Sequence, residues 1–190
     1  MMISDKEQFI QIFEQKIIPH RKGADELLQW IIGTDFFEAP ASTKYHGAFE
    51  GGLCQHSLSV YNRLVLLNRN YEFHFAEDTM AIVALCHDLC KCEFYKTSTR
   101  NVKDDVTGQW KKVPYYSVEE LWPYGFHGPK STFIVQNYVK LSKEEGAAIS
   151  CHMGFSDQTN MTSISNVYKK FKLAWALHVA DEESTWVGGI

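Results

Sequence analysis

An imidazole and a carboxylate stand side by side in Ala84-Leu85-Cys86-His87-Asp88-Leu89-Cys90-Lys91, with apolar residues before and after them. The surrounding stretch from Ala76 to Cys90 carries Met80, Val83, Ala84, Leu85 and Leu89 and reads as a helix that is apolar nearly all round, hence central. A polar or charged group in such surroundings is costly unless something compensates it. Whatever fold this chain adopts must therefore bring partners to His87 and Asp88. Taken alone, the pair also has an ordinary reading, in which the histidine bonds a backbone carbonyl and the aspartate caps a neighbouring helix.

Helical spacing recurs along most of the chain. Phe9, Ile10, Phe13, Ile17 and Ile18 predict an amphipathic helix from Ser4, a candidate N-cap, to Ile18, where Pro19 stops it. A second helix is expected from Asp25 to Ile32, ended by Gly33. Asp35 to Gly52 lacks steady periodicity and reads as an irregular connection holding His46. Leu58, Tyr61, Val65 and Leu66 predict a helix from Cys54 to Asn68. Between Cys92 and Tyr116 the pattern changes to alternation around Asp104-Asp105-Val106-Thr107-Gly108, which predicts a β-hairpin. Helices return at Lys130 to Val139 and Lys143 to Met153, the latter behind a capping-box pair, Ser142 and Glu145. One long helix is expected from Ser163 or Ser165 to Trp186. With no internal repeat and no linker, residues 1–190 are expected to form a single domain, an all-α helical bundle with a small β-hairpin insertion.

The 190 residues suffice for a core without disulfides, and 45% hydrophobic with 22% charged residues is ordinary globular composition. A net charge of -4 argues against a broad basic face for duplex DNA. Lys111-Lys112 and Lys169-Lys170-Lys172 read as solvated faces without a function. No apolar run approaches the roughly eighteen residues of a membrane span, and the start lacks the order of a secretion signal, so a cytoplasmic protein without a membrane partner is expected. Five cysteines, an odd number, suit a reducing compartment. Cys90 and Cys92 lack a second pair at zinc-finger spacing and are expected to be buried or idle thiols.

His56, His127, His152 and Asp181 each lie on or beside a different expected helix, and a bundle core is where facing helices converge ligands. Asp181 follows Ala174-Trp175-Ala176-Leu177-His178-Val179-Ala180, and His152 follows Ala147-Ala148-Ile149-Ser150-Cys151. Several polar residues in apolar contexts are hard to explain by packing alone. For His127, flanked by glycines, a plain loop histidine is the competing reading.

The order His56, His87-Asp88, Asp181 resembles the HD superfamily of metal-dependent phosphohydrolases. The string from Tyr45 to Ser57 is similar to the first-ligand segment of bacterial HD proteins that include a 3′ to 5′ exoribonuclease group. His87-Asp88-Leu89-Cys90-Lys91 resembles their His-Asp-Ile-Gly-Lys motif, with Cys90 where glycine is common. The resemblance spans about residues 40 to 185, with residues 1–39 as added N-terminal helices. It implies an HD-type bundle with His56, His87, Asp88 and Asp181 around one metal. His127 and His152 fall where two-metal members supply further ligands, with Asp88 bridging.

Imidazoles with carboxylates suit Fe, Mn, Ni or Zn rather than Mg or Ca, so one or two divalent transition-metal ions are expected. Asp88 and Lys91 are the candidate catalytic pair, Lys91 as a point charge on a phosphate oxygen. Lys130 and Ser131, near a helix start, and His46 are candidate substrate contacts. His178, one turn before Asp181, is expected to orient it. The implied activity is hydrolysis of a phosphoester, on a phosphorylated small molecule or a nucleic-acid end. Two alternatives stand beside it: a mixed-valent di-iron oxygenase on the HD fold, and a non-catalytic metal- or nucleotide-binding module. The sequence leaves self-association open.

Overall fold

Phe9, Phe13 and Ile17 recur at every fourth position, and all three are fully buried. That stripe draws the N-terminal segment onto the core. The computed structural model describes residues 3–43, 47–119, 121, 126–156 and 161–188, and omits the side chain of Pro114. Helix α1 (Asp5–Ile12) is capped as its sequence suggests: the Glu7 N–H donates to Ser4 Oγ at 3.2 Å, and the Ser4 N–H donates to Glu7 Oε2 at 2.8 Å. A π-helical turn, Phe13–Ile17, continues it. Helix α2 (Ala24–Ile32) ends at Gly33. Then come α3 (Gly52–Asn70), α4 (Glu77–Cys86), β1 (Tyr95–Lys103), β2 (Trp110–Val118), α5 (His127–Gln136), α6 (Lys143–Ser150), α7 (Met161–Lys170) and α8 (Lys172–Trp186).

The protein is mostly helical. Helix α3 packs on α4 and α8, while α6 packs on α5 and α8. Leu53, Leu64, Ile82, Leu85, Leu89, Ile149 and Leu177 are fully buried between them. Strands β1 and β2 form a two-stranded antiparallel ribbon in which Tyr95 faces Val118 and Lys103 faces Trp110, so the expected hairpin is present. Among the described residues, no helix is long and apolar enough to cross a membrane.

Several helix boundaries differ from expectation, and three of them shape the centre. Helix α4 stops at Cys86 instead of Cys90. His87 caps it, Asp88 leaves helical geometry at φ -113°, and Leu89–Lys91 form a separate 3-10 turn. The His-Asp pair thus sits on a bend rather than within a helix. Helix α6 ends at Ser150, which leaves His152 just beyond it. Helix α5 begins at His127, earlier than Lys130, because Pro129 lies in the first turn where its missing N–H is not needed.

A further difference is the long C-terminal helix, which is two helices broken at Phe171, an extended residue at φ -123°, ψ 102°. No glycine or proline marks the break. Glu144 of α6 accepts the Leu173 N–H at 3.3 Å, so the new start is capped from a different helix.

Candidate metal centre

Two of the histidines reach the centre in the same way. His87 at the end of α4 donates Nδ1–H to the Ala84 carbonyl at 2.8 Å, and His152 beyond α6 donates Nδ1–H to the Ile149 carbonyl at 2.8 Å. Each bonds a carbonyl in the last turn of its helix. Because a carbonyl can only accept, the proton belongs on Nδ1, and the neutral ring presents the Nε2 lone pair inward. The negative ends of α4 and α6 meet at the same place, which favours a cation there.

His56, midway along α3, has its Nδ1 3.2 Å from Ser184 Oγ on α8. Its Nε2 lies 3.1 Å from Asp181 Oδ1, 3.3 Å from His87 Nε2 and 3.8 Å from Asp88 Oδ2. His87 Nε2 is 3.3 Å from Asp88 Oδ2 and 3.9 Å from Asp181 Oδ1. The ligand atoms of His56, His87 and Asp88 fall within 4.8 Å of one another, as do those of His87, His152 and Asp181. Five of the six expected ligands are therefore together, and they are buried groups that could hold a metal ion.

The sharpest sign of a cation site is on the other oxygen of Asp88. Asp88 Oδ1 and His152 Nε2 are 3.5 Å apart, both are fully buried, and neither makes a hydrogen bond. With His152 Nδ1 donating to Ile149, these are two acceptors facing each other. Such an arrangement is unfavourable unless a positive species lies between them.

The charges agree with this reading. Burial would raise the carboxyls of Asp88 and Asp181, yet both are held far below the usual range, Asp88 mainly by Lys91 and His87, Asp181 mainly by His56. Burial lowers His56 and favours its neutral form. It opposes the charged form of His87 too, but Asp88 and Asp181 outweigh it and the pKa is raised. Lys91 Nζ bonds Asp88 Oδ2 at 2.7 Å. Two carboxylates against one lysine leave the centre short of positive charge when its imidazoles are neutral.

A cavity of about 590 Å³ opens onto Asp88, Lys91, His127, Asp181, Met153, Ser156, Glu182, Thr185 and Trp186. His127 borders this space with its Nδ1 3.4 Å from Cys90 Sγ, but it is not among the ligand atoms gathered within 4.8 Å. Burial lowers its pKa. Cys90 is buried, and burial pushes its thiol up to about 12.

Lys130 and Ser131 are buried and do not line the cavity; Ser131 Oγ accepts the Cys90 N–H at 3.1 Å and so braces the turn after Asp88. His46 lies outside the described residues. His178 does not orient Asp181: its ring nitrogen donates to the His152 carbonyl at 2.7 Å and packs under Gly154. Sequence reasoning missed Ser184, the partner of His56, and the Glu182, Thr185 and Trp186 wall. Their only signal was helical spacing from Asp181. No protein-family model, curated protein or solved structure matches the chain.

Proposed function

We propose that the protein is an HD-type metal-dependent phosphohydrolase or phosphodiesterase acting on a nucleotide or nucleic-acid phosphoester. The observation that carries the reading is the buried pair of facing acceptors, Asp88 Oδ1 and His152 Nε2, beside the His56, His87 and Asp181 cluster. The donor set of nitrogens and carboxylate oxygens fits one or two ions of Fe, Mn, Ni or Zn. His56, His87, Asp88 and Asp181 would hold the first, and Asp88 and His152, with His127 alongside, a second. Such an ion, when bound, lowers the pKa of coordinated water toward about 7 and neutralises charge on a phosphate.

The chain's own groups have defined tasks in this reading. The Ala84 and Ile149 carbonyls fix the tautomers of His87 and His152, and Ser184 steadies His56. Lys91 Nζ, on the cavity wall, offers a positive charge to a non-bridging phosphate oxygen while it stays close to Asp88. Asp181 Oδ1 lies 3.1 Å from His56 Nε2, and against the opposing effect of burial its carboxyl is held far below the usual range, mainly by His56, so it stays ionised across the physiological range. No nucleophilic side chain is required.

Protein loaded in turn with Mn, Fe, Ni and Zn should hydrolyse members of a phosphoester panel. His87→Ala and Asp88→Ala should each lose about a hundredfold or more in kcat/KM. Activity that survives both substitutions would defeat the assignment, and substrate-dependent oxygen uptake with a mixed-valent paramagnetic signal would move it to the oxygenase class.

A further inference from the structure

Between Tyr95 and Val118 the chain carries Lys96, Arg100, Lys103, Lys111 and Lys112 against Asp104 and Asp105 alone, although the whole protein is net -4. Positive charge is concentrated on the ribbon. Lys96 pairs with Glu119, and Lys111 pairs with Asp104 at 2.6 Å, whereas Lys103 and Lys112 have no carboxylate partner among the described residues. The register pairs Lys103 with Trp110 and Asn101 with Lys112, and directly paired residues point to one side of a ribbon. One face therefore presents Asn101, Lys103, Trp110 and Lys112 together, all exposed, with the Trp110 indole 69% accessible. Arg100 lies on the opposite face, 5.7 Å above the Tyr115 ring.

An isolated ribbon is marginally stable, and an indole that nothing described covers does little to stabilise it. Two lysines flanking an open aromatic ring form the pairing that holds a single nucleic-acid strand: charge for phosphates, a flat face for an unstacked base. We propose that the Lys103–Trp110–Lys112 face of the β1–β2 ribbon is a binding site for single-stranded nucleic acid. A duplex offers no free base to the indole, and two cations are few for its denser charge. Lysines along both edges oppose pairing with a second copy.

The ribbon also starts near the metal centre. Its first residue, Tyr95, donates to the Ala41 carbonyl at 3.2 Å and is close enough to Lys91 for the two to perturb each other's charge. A strand laid along the ribbon, roughly 26 Å long at about 3.3 Å per residue, would have one end beside the cavity. Binding as such does not depend on the hydrolase reading, and the two are tested apart.

Fluorescence anisotropy of labelled twelve-residue DNA and RNA single strands, and of the matching duplexes, is to be measured with the full chain in chelator, where hydrolysis is silent. Circular dichroism verifies the fold of every sample. Single strands should bind about tenfold or more tightly than duplex, with the DNA and RNA arms showing which sugar is preferred. Trp110→Ala should weaken binding by about 5- to 100-fold and Trp110→Phe should restore most of it. The Lys103→Gln, Lys112→Gln double variant should flatten the slope of log K against log salt by about 1.4. Arg100→Gln should stay within about twofold of wild type at physiological salt.

Unchanged affinity in the Trp110 and lysine variants overturns the proposal. So does preferential binding to phosphatidylserine vesicles, or self-association that the same variants abolish. Strand binding by protein inert toward every phosphoester would sink the hydrolase reading and leave this one intact; hydrolysis without strand binding would do the reverse.

Discussion

Asp88 ties the centre together from both of its oxygens, with Lys91 at 2.7 Å and His87 at 3.3 Å on Oδ2 and His152 at 3.5 Å on Oδ1. Its importance was legible in the sequence because a carboxylate among apolar residues demands compensation. The same logic exposed His152 and Asp181, while His56 came from its place on a separate expected helix and from the HD resemblance. It could not expose Ser184, since a serine in a helix is unremarkable until α3 is seen to lie against α8. Ser184→Ala should leave the fold intact but weaken metal affinity by about tenfold, read by competition with a chromophoric chelator. Unaltered affinity would show that His56 needs no partner on Nδ1. His178 illustrates the opposite error: helical spacing put it beside Asp181, but its ring turns to the His152 carbonyl across the packing interface.

Among the elements, those with local signals were readable and those shaped by neighbours were not. The Ser4 cap of α1, the α6 capping box, the Gly33 stop and the hairpin alternation are encoded within a few residues. The break between α7 and α8 depends on Glu144, which comes from another helix and leaves no mark near Phe171. Close approach of α5 to α6 depends on Gly128, where a Cβ would lie 2.4 Å from the Ser150 carbonyl oxygen. That contact sets His127 and His152 on neighbouring walls. Gly128→Ala should therefore destabilise the protein by about 2 kcal/mol, a melting-temperature fall of roughly 4–8 °C, and lower metal affinity together with stability. A variant that melts like wild type would mean the two helices part without cost.

At the scale of the whole molecule, the N-terminal segment is clasped to the bundle by Arg21. Its guanidinium donates to Glu145 at 2.5 and 3.1 Å and to Asp78 at 2.6 Å, joining the loop before α2 to the starts of α4 and α6. Burial would raise the Glu145 carboxyl, but Arg21 and the Ser142 N–H outweigh it and hold it below the usual carboxylate range. A carboxyl depressed by folding contributes its full stability above the unfolded pKa and loses it as pH falls through the folded value. Thermal stability should therefore drop on acidification from about pH 5 downward. Glu145→Gln should cost about 2 kcal/mol at pH 7 and flatten that dependence; an equally steep acid limb in the variant would assign it to other carboxyls. Mn or Fe at about a hundred times its dissociation constant should raise the melting temperature by roughly 5–10 °C. Scanning calorimetry should show no such shift for Asp88→Asn. By itself the sequence determined the helical character, the hairpin and which polar residues had to be compensated, because periodicity, caps and burial cost act within a single segment. Tertiary structure alone decided that α4 bends at Asp88, that α8 starts anew at Lys172, and that His152 and Asp88 face each other as unpaired acceptors. Each of these depends on atoms brought together from distant stretches of chain, and no local pattern records such meetings.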